Sequence, residues 1–298
     1  MFGRNLELSF EFFPPRNERE YESYEKSVKE LADFNPAFVS YTDGAGFSKN
    51  REIIRAVEIF REYSNSEIVA HITSCDKDKT DVDKIINTYL ENKIDSFLVV
   101  RGDCPRDEFL MDIDDLESTN SEFEYASDLI AYLKQSKIEK IGFGTFPTGH
   151  PEDDDINQTL STYKIKVDQG GLFSATQLFF DSQEYLNFRK KIDALENSVP
   201  TYAGIMPLIS YEQAIRFAKI CDIKLPKKLE DGFKQCNSKD QERSFGIQYI
   251  TEMCNELIEE NVDGLHFYTL NRHKAFKEIY KNLDKKFKQW KKDKWLAK

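Results

Sequence analysis

The chain has 298 residues, 40% hydrophobic and 13% aromatic, which is enough apolar material for one large core and within the usual length of one α/β barrel. Its formal net charge of -11 and sequence pI near 5.1 argue against a cationic nucleic-acid groove and against docking on anionic lipid. Cys75, Cys104, Cys221, Cys236 and Cys254 are odd in number and contain no Cys-x-x-Cys pair, so neither a disulfide framework nor a zinc site is expected.

No signal-like apolar stretch opens the chain and no segment is long enough to span a bilayer, so a cytoplasmic protein that engages no membrane is expected. Short apolar runs at 6–12, 37–42, 68–72, 96–101, 140–145, 173–177, 202–206 and 264–268 read as buried parallel strands. Between them lie amphipathic helices. Residues 18–34 place Tyr21, Tyr24, Val28, Leu31 and Ala32 on one face, residues 80–91 do so with Val82, Ile85, Ile86 and Tyr89, and 241–260 is another helix.

Two segments interrupt the rhythm as insertions: 103–120, acidic and loop-like, and 224–239. Residues 281–298 carry lysines around Phe287, Trp290 and Trp295, and read either as a helix packing its aromatic side on the barrel or as the solvated end of the last helix. Eight strand-helix units imply a single (β/α)8 TIM barrel over residues 1–298, with short extra helices.

In such a barrel, polar residues at strand C-terminal ends face the ligand mouth. Glu11, Thr42, Asp43, His71, Thr73, Arg101, Asp103, Gln177 and Tyr268 take these positions. His71 also fits a structural histidine, Arg101 and Asp103 a mutual pair, and Tyr268 a core position. Glu11, inside an otherwise apolar strand, points to function by itself. Gly44-Ala45-Gly46 does not continue into a dinucleotide fingerprint and no phosphate-binding Gly-x-x-x-x-Gly-Lys occurs. The histidines His71, His150, His266 and His273 lack ligand-like spacing, so no metal is expected.

Several ordered motifs add a resemblance. Phe10-Glu11-Phe12-Phe13-Pro14-Pro15-Arg16, Val39-Ser40-Tyr41-Thr42-Asp43-Gly44-Ala45, Ala70-His71-Ile72-Thr73-Ser74-Cys75-Asp76, Val100-Arg101-Gly102-Asp103-Cys104-Pro105 and His266-Phe267-Tyr268-Thr269-Leu270-Asn271-Arg272 resemble successive motifs of the methylenetetrahydrofolate reductases, short bacterial type. Phe146-Pro147-Thr148-Gly149-His150, Lys166-Val167-Asp168-Gln169-Gly170 and Thr176-Gln177-Leu178 fall between them in the family's order. The resemblance implies flavin-dependent reduction of 5,10-methylenetetrahydrofolate to 5-methyltetrahydrofolate in one-carbon and methionine metabolism. FAD would carry hydride from NADH or NADPH, NADH being favoured, in ping-pong order, and the enzyme would be a homo-oligomer.

The same resemblance implies Glu11 as general acid and Asp103 as electrostatic partner of the folate cation. FAD would be held by Thr42, His71, Arg101, Gly102, Asp103, Tyr125, Ala126, His150 and Lys166, and folate by Glu11, Gln177, Tyr211, Tyr268 and Arg272. The chain departs from the family at Phe146, where a tyrosine is expected, at Tyr211, where phenylalanine is common, and at Thr159, Thr162 and Ile165, where Asp, Asn and Arg are frequent. Loss of that arginine predicts weaker FAD binding. Another flavin barrel of the proline-dehydrogenase kind, or a flavin- or folate-binding subunit reduced by a protein partner, are the alternatives.

Overall fold

A computed structural model describes residues 6–42, 48–75, 77–102 and 122–283. Eight parallel strands close into a barrel in sequence order: β1 (Glu7–Phe12), β2 (Phe38–Tyr41), β3 (Glu67–Thr73), β4 (Ser96–Val100), β5 (Lys140–Thr145), β6 (Phe173–Thr176), β7 (Thr201–Ile205) and β8 (Gly264–Tyr268). Closure is made by β8, whose Leu265, His266 and Tyr268 pair with Leu8, Ser9 and Glu11 of β1. Every strand lies within a residue or two of its sequence reading.

Helices follow the strands: α1 (Glu18–Ala32), α2 (Ser48–Arg61), α3 (Lys79–Glu91), α4 (Ala126–Gln135), α5 (Ile156–Asp168), α6 (Ser182–Asp193), α7 (Tyr211–Ile220), α8 (Lys227–Lys234), α9 (Lys239–Glu259) and α10 (Lys274–Asn282). The segment read as an insertion at 224–239 contains α8, which buries Leu229 and Phe233. The acidic segment 103–120 and the tail beyond residue 283 lie outside the described residues.

Two-residue alternation sorts each strand into two faces. Leu8, Phe10 and Phe12 of β1 join Val39, Tyr41, Ala70, Ile72, Val99 and Phe267 in the layer between strands and helices. Their neighbours Glu7, Ser9 and Glu11 point into the barrel. The interior is packed in part by a separate apolar cluster of Phe38, Val69, Leu98, Phe173, Ala175 and Tyr202. Towards the N-terminal end the Tyr202 hydroxyl donates to Glu7 Oε2 at 2.5 Å and seals the floor.

The strand-to-helix connections are pinned by side-chain caps. Asn17, Asp78, Asp155, Asp181 and Ser210 each accept a backbone N–H from the first turn of the helix that follows. Such caps hold the loops at the C-terminal ends of the strands, where the polar residues collect.

Of the described cysteines, Cys221, Cys236 and Cys254 form no disulfide, whereas Cys75 is disulfide-bonded, a bond that the reading of no disulfide framework did not anticipate. Spacing along a chain does not determine which thiols meet in space. Among the described residues no group of His, Cys, Asp or Glu is arranged to hold a metal ion, and no helix is long and apolar enough to cross a membrane.

Candidate active site

Glu11 places a carboxylate at the mouth. It ends the interior face of β1, is one-fifth exposed, and turns Oε2 towards two imidazoles: His71 Nε2 of β3 at 3.5 Å and His266 Nε2 of β8 at 3.9 Å. The pairing of β1 with β8 places Ser9 opposite His266, and Ser9 Oγ lies 2.8 Å from His266 Nδ1. Ser9 and His266 share the Glu11 face by alternation of two, a signal that the motif-based reading did not use.

The exit of β8 fixes the backbone around this carboxylate. Thr269 Oγ1 donates to the carbonyl of Glu11 at 2.7 Å. Asn271 accepts the Phe13 N–H at 3.1 Å and donates to the Phe13 carbonyl at 2.8 Å. Leu270 and Asn271 adopt φ of 50° and 54°, a left-handed pair that folds the chain back over β1.

Tyr268 lies half-buried beside Glu11. Its hydroxyl donates to the Thr176 carbonyl at 2.5 Å, so the side chain offers its ring to the mouth. Burial first, then the Glu11 charge, push that hydroxyl well above its ordinary pKa. Gln177 follows β6 with its Oε1 accepting the Leu178 N–H at 2.9 Å, an arrangement that sets the amide's orientation. Tyr211 begins α7, stacks on Phe233 at 5.6 Å, and donates its hydroxyl to Glu230, the partner that its departure from phenylalanine requires. Arg272 is exposed at the rim, and its guanidinium has no ion pair among the described residues.

A second group collects at β4 and β5. Arg101 pairs with Glu152 at 2.5 Å. Asp103 itself lies outside the described residues. Lys166 is buried, donates to the Gly144 carbonyl at 2.9 Å, and is pushed down to about 8 by burial, against the opposing pull of Asp153. His150 is likewise lowered, chiefly by burial; Glu152 and Asp153 oppose the shift, and the Arg101 and Lys166 charges add to it. These three groups are therefore electrostatic neighbours.

Gly102, with φ of 83°, presents bare backbone where a Cβ would come within 2.8 Å of Thr73. Exposed Tyr125 caps α4, its N–H held by Asp128 at 2.9 Å, and Ala126 is buried behind it. Thr42 follows β2, its N–H donating to Phe12 O. Two cations, an imidazole, a helix start and exposed backbone fit the diphosphate of a dinucleotide cofactor.

The altered positions of α5 divide. Ile165 is exposed and supplies no cation, and Thr162 is half-buried. Thr159 is buried, accepts the His150 N–H at 3.0 Å and donates to Asp153, so it ties α5 to the loop after β5. Phe146 packs edge-on against His150 with centroids 4.6 Å apart.

A closed (β/α)8 barrel that gathers a carboxylate facing two imidazoles at the C-terminal ends of its strands has the architecture of a barrel enzyme. The methylenetetrahydrofolate reductase family model matches residues 3–284, and the chain belongs to that family. It is 30% identical to 5,10-methylenetetrahydrofolate reductase of Escherichia coli (strain K12) over 268 residues, covering 90% of this chain and 87% of that protein. The Pectobacterium carotovorum enzyme is matched equally well, over 86% of its length. Against methylenetetrahydrofolate reductase 1 of Schizosaccharomyces pombe, also 30% identical, the chain spans 45% of the relative's length. A Clostridium thermocellum protein solved with two copies of 5-methyl-5,6,7,8-tetrahydrofolic acid shares the fold, with a TM-score of 0.66, 13% identity and 95% coverage of both chains.

Proposed function

We propose that this chain reduces 5,10-methylenetetrahydrofolate to 5-methyltetrahydrofolate, taking hydride from NADH through FAD in ping-pong order. The observation that carries the reading is the Glu11 carboxylate at the mouth, faced by His71 and His266, in a chain of this family. Bound FAD supplies the hydride carrier between nicotinamide and folate. Arg101, Lys166, His150 and the Gly102 backbone would hold its diphosphate, with Thr42, His71, Tyr125 and Ala126 completing the contact.

Opening the methylene bridge breaks a carbon–nitrogen bond and leaves an iminium cation, so the leaving nitrogen needs a proton and the cation needs nearby negative charge. Glu11 donates that proton. Its carboxylate, together with Asp103, then offsets the positive charge that awaits hydride. Gln177 hydrogen-bonds the pterin edge, the Tyr268 and Tyr211 rings pack against its plane, and Arg272 suits the carboxylates of the folate tail.

The test is the absorption spectrum of the purified full chain, anaerobically, before and after NADH and then after methylenetetrahydrofolate. A flavin band that bleaches with NADH and returns with folate is expected. Glu11→Gln should keep the first change and lose the second. Protein with no flavin band, or a Glu11→Gln variant that reoxidises normally, sinks the reading.

A further inference from the structure

His266 lies on the barrel's inner face with no exposed surface, and the motif comparison gives it no role. Its ring is clamped between stacked Phe38, with centroids 5.6 Å apart and planes at 19°, and edge-on Tyr268 at 5.3 Å. Ser9 Oγ, also fully buried, meets Nδ1 at 2.8 Å. The serine hydroxyl has this nitrogen as its sole hydrogen-bond partner among the described residues, and a buried hydroxyl needs an acceptor for its proton. Ser9 therefore donates to Nδ1, which places the proton of the neutral imidazole on Nε2.

That Nε2–H is buried, has no hydrogen-bond partner among the described residues, and faces Glu11 Oε2 at 3.9 Å. The separation exceeds a hydrogen bond, as is common at catalytic groups before substrate tightens them. Both imidazoles approach Oε2, which leaves Oε1 as the oxygen for an incoming ligand.

We propose that His266 is a positioning residue for Glu11: its Nε2–H, set by Ser9, holds Oε2 from inside the barrel so that Oε1 delivers the proton. In that step the Oε1–H bond breaks, an N–H bond forms on the leaving nitrogen of the folate, and the charge left on the carboxylate is met at Oε2 by the imidazole donor. The proposal rests on Glu11 being the acid argued above.

Two measurements test it. The first is a long-range proton–nitrogen correlation spectrum of the full chain labelled with 15N-histidine at neutral pH. It should show His266 as the neutral Nε2–H tautomer, and Ser9→Ala should relax that preference; an Nδ1–H tautomer in the wild type overturns the proposal.

The second compares His266→Gln, which keeps an N–H donor near the place of Nε2, with His266→Asn, which does not reach it. His266→Asn should lower kcat for methylenetetrahydrofolate reduction roughly 100-fold, as expected for a misplaced reacting group, while the folate KM and NADH-driven flavin reduction hold. His266→Gln should recover most of the loss. If the two variants behave alike while Glu11→Gln abolishes the folate step, only the positioning role falls. If Glu11→Gln retains that step, the acid assignment falls and the proposal with it.

Discussion

The side-chain amide of Asn271 bridges both backbone polar groups of Phe13, accepting its N–H at 3.1 Å and donating to its carbonyl at 2.8 Å, across 258 residues of sequence. Phe13 lies two residues beyond Glu11, so this clasp sets where β1 ends and where its last interior carboxylate is carried. Closing the barrel between β8 and β1 thus also builds the site.

Asn271→Ala removes both bonds and places a Cβ residue without a local hydrogen-bonding side chain at φ of 54°. A stability loss of about 2–4 kcal/mol is expected, from two partly buried hydrogen bonds and the left-handed backbone. Asn271→Gly should lose less, because glycine accepts that φ, while sharing the fall in folate turnover. Urea midpoints at constant m-value and steady-state rates check both; equal stability of the alanine variant and wild type sinks the argument.

Lys166 links pH to stability. Its folded pKa of about 8 lies below the ordinary 10.5, so the unfolded chain binds more protons between those values and stability rises with pH across that window. Below pH 8 the buried ammonium costs on the order of 3 kcal/mol. Flavin-free Lys166→Met should therefore be at least as stable as wild type at pH 7, even after losing the Gly144 bond of about 1 kcal/mol. Its unfolding free energy should no longer gain the Lys166 share between pH 8 and 10.5. A difference between the two proteins that stays constant over that range contradicts the assignment.

Tyr268→Phe leaves the Thr176 carbonyl without its hydroxyl donor and should cost about 1–3 kcal/mol while preserving the ring. Gly204→Ala attacks the same joint harder, since its Cβ would meet the Thr176 carbonyl at 2.2 Å and the Tyr268 hydroxyl at 2.8 Å. Overpacking against backbone has little room to relax, so thermal melts should rank Gly204→Ala below Tyr268→Phe, and both below wild type.

Glu152 competes for Arg101 with any anionic ligand at the β4 exit. Glu152→Gln should tighten FAD roughly two- to five-fold, the modest effect of a partly exposed ion pair, and lessen with added salt. Fluorescence titration of flavin-free protein reads this directly. Unchanged affinity at low salt shows that Arg101 does not face the cofactor.

Short apolar runs set between segments of three-to-four-residue periodicity were enough to mark all eight strands, because they record local burial: Leu8, Phe10 and Phe12 are apolar where they meet helices. Their position at the C-terminal ends of the strands put Glu11, His71, Gln177 and Tyr268 at the mouth. Other features were beyond any local pattern. The pairing of Ser9 with His266, the grip of Asn271 on Phe13 and the capture of Arg101 by Glu152 join residues separated by 257, 258 and 51 positions. Thr159, a mere departure from family type in the sequence, proves to tie α5 to the loop after β5. Glu11 itself was legible as a suspicious carboxylate on its strand; only barrel closure decided which groups face it, because hydrogen bonding depends on angstrom distances between strand ends that no one-dimensional spacing encodes.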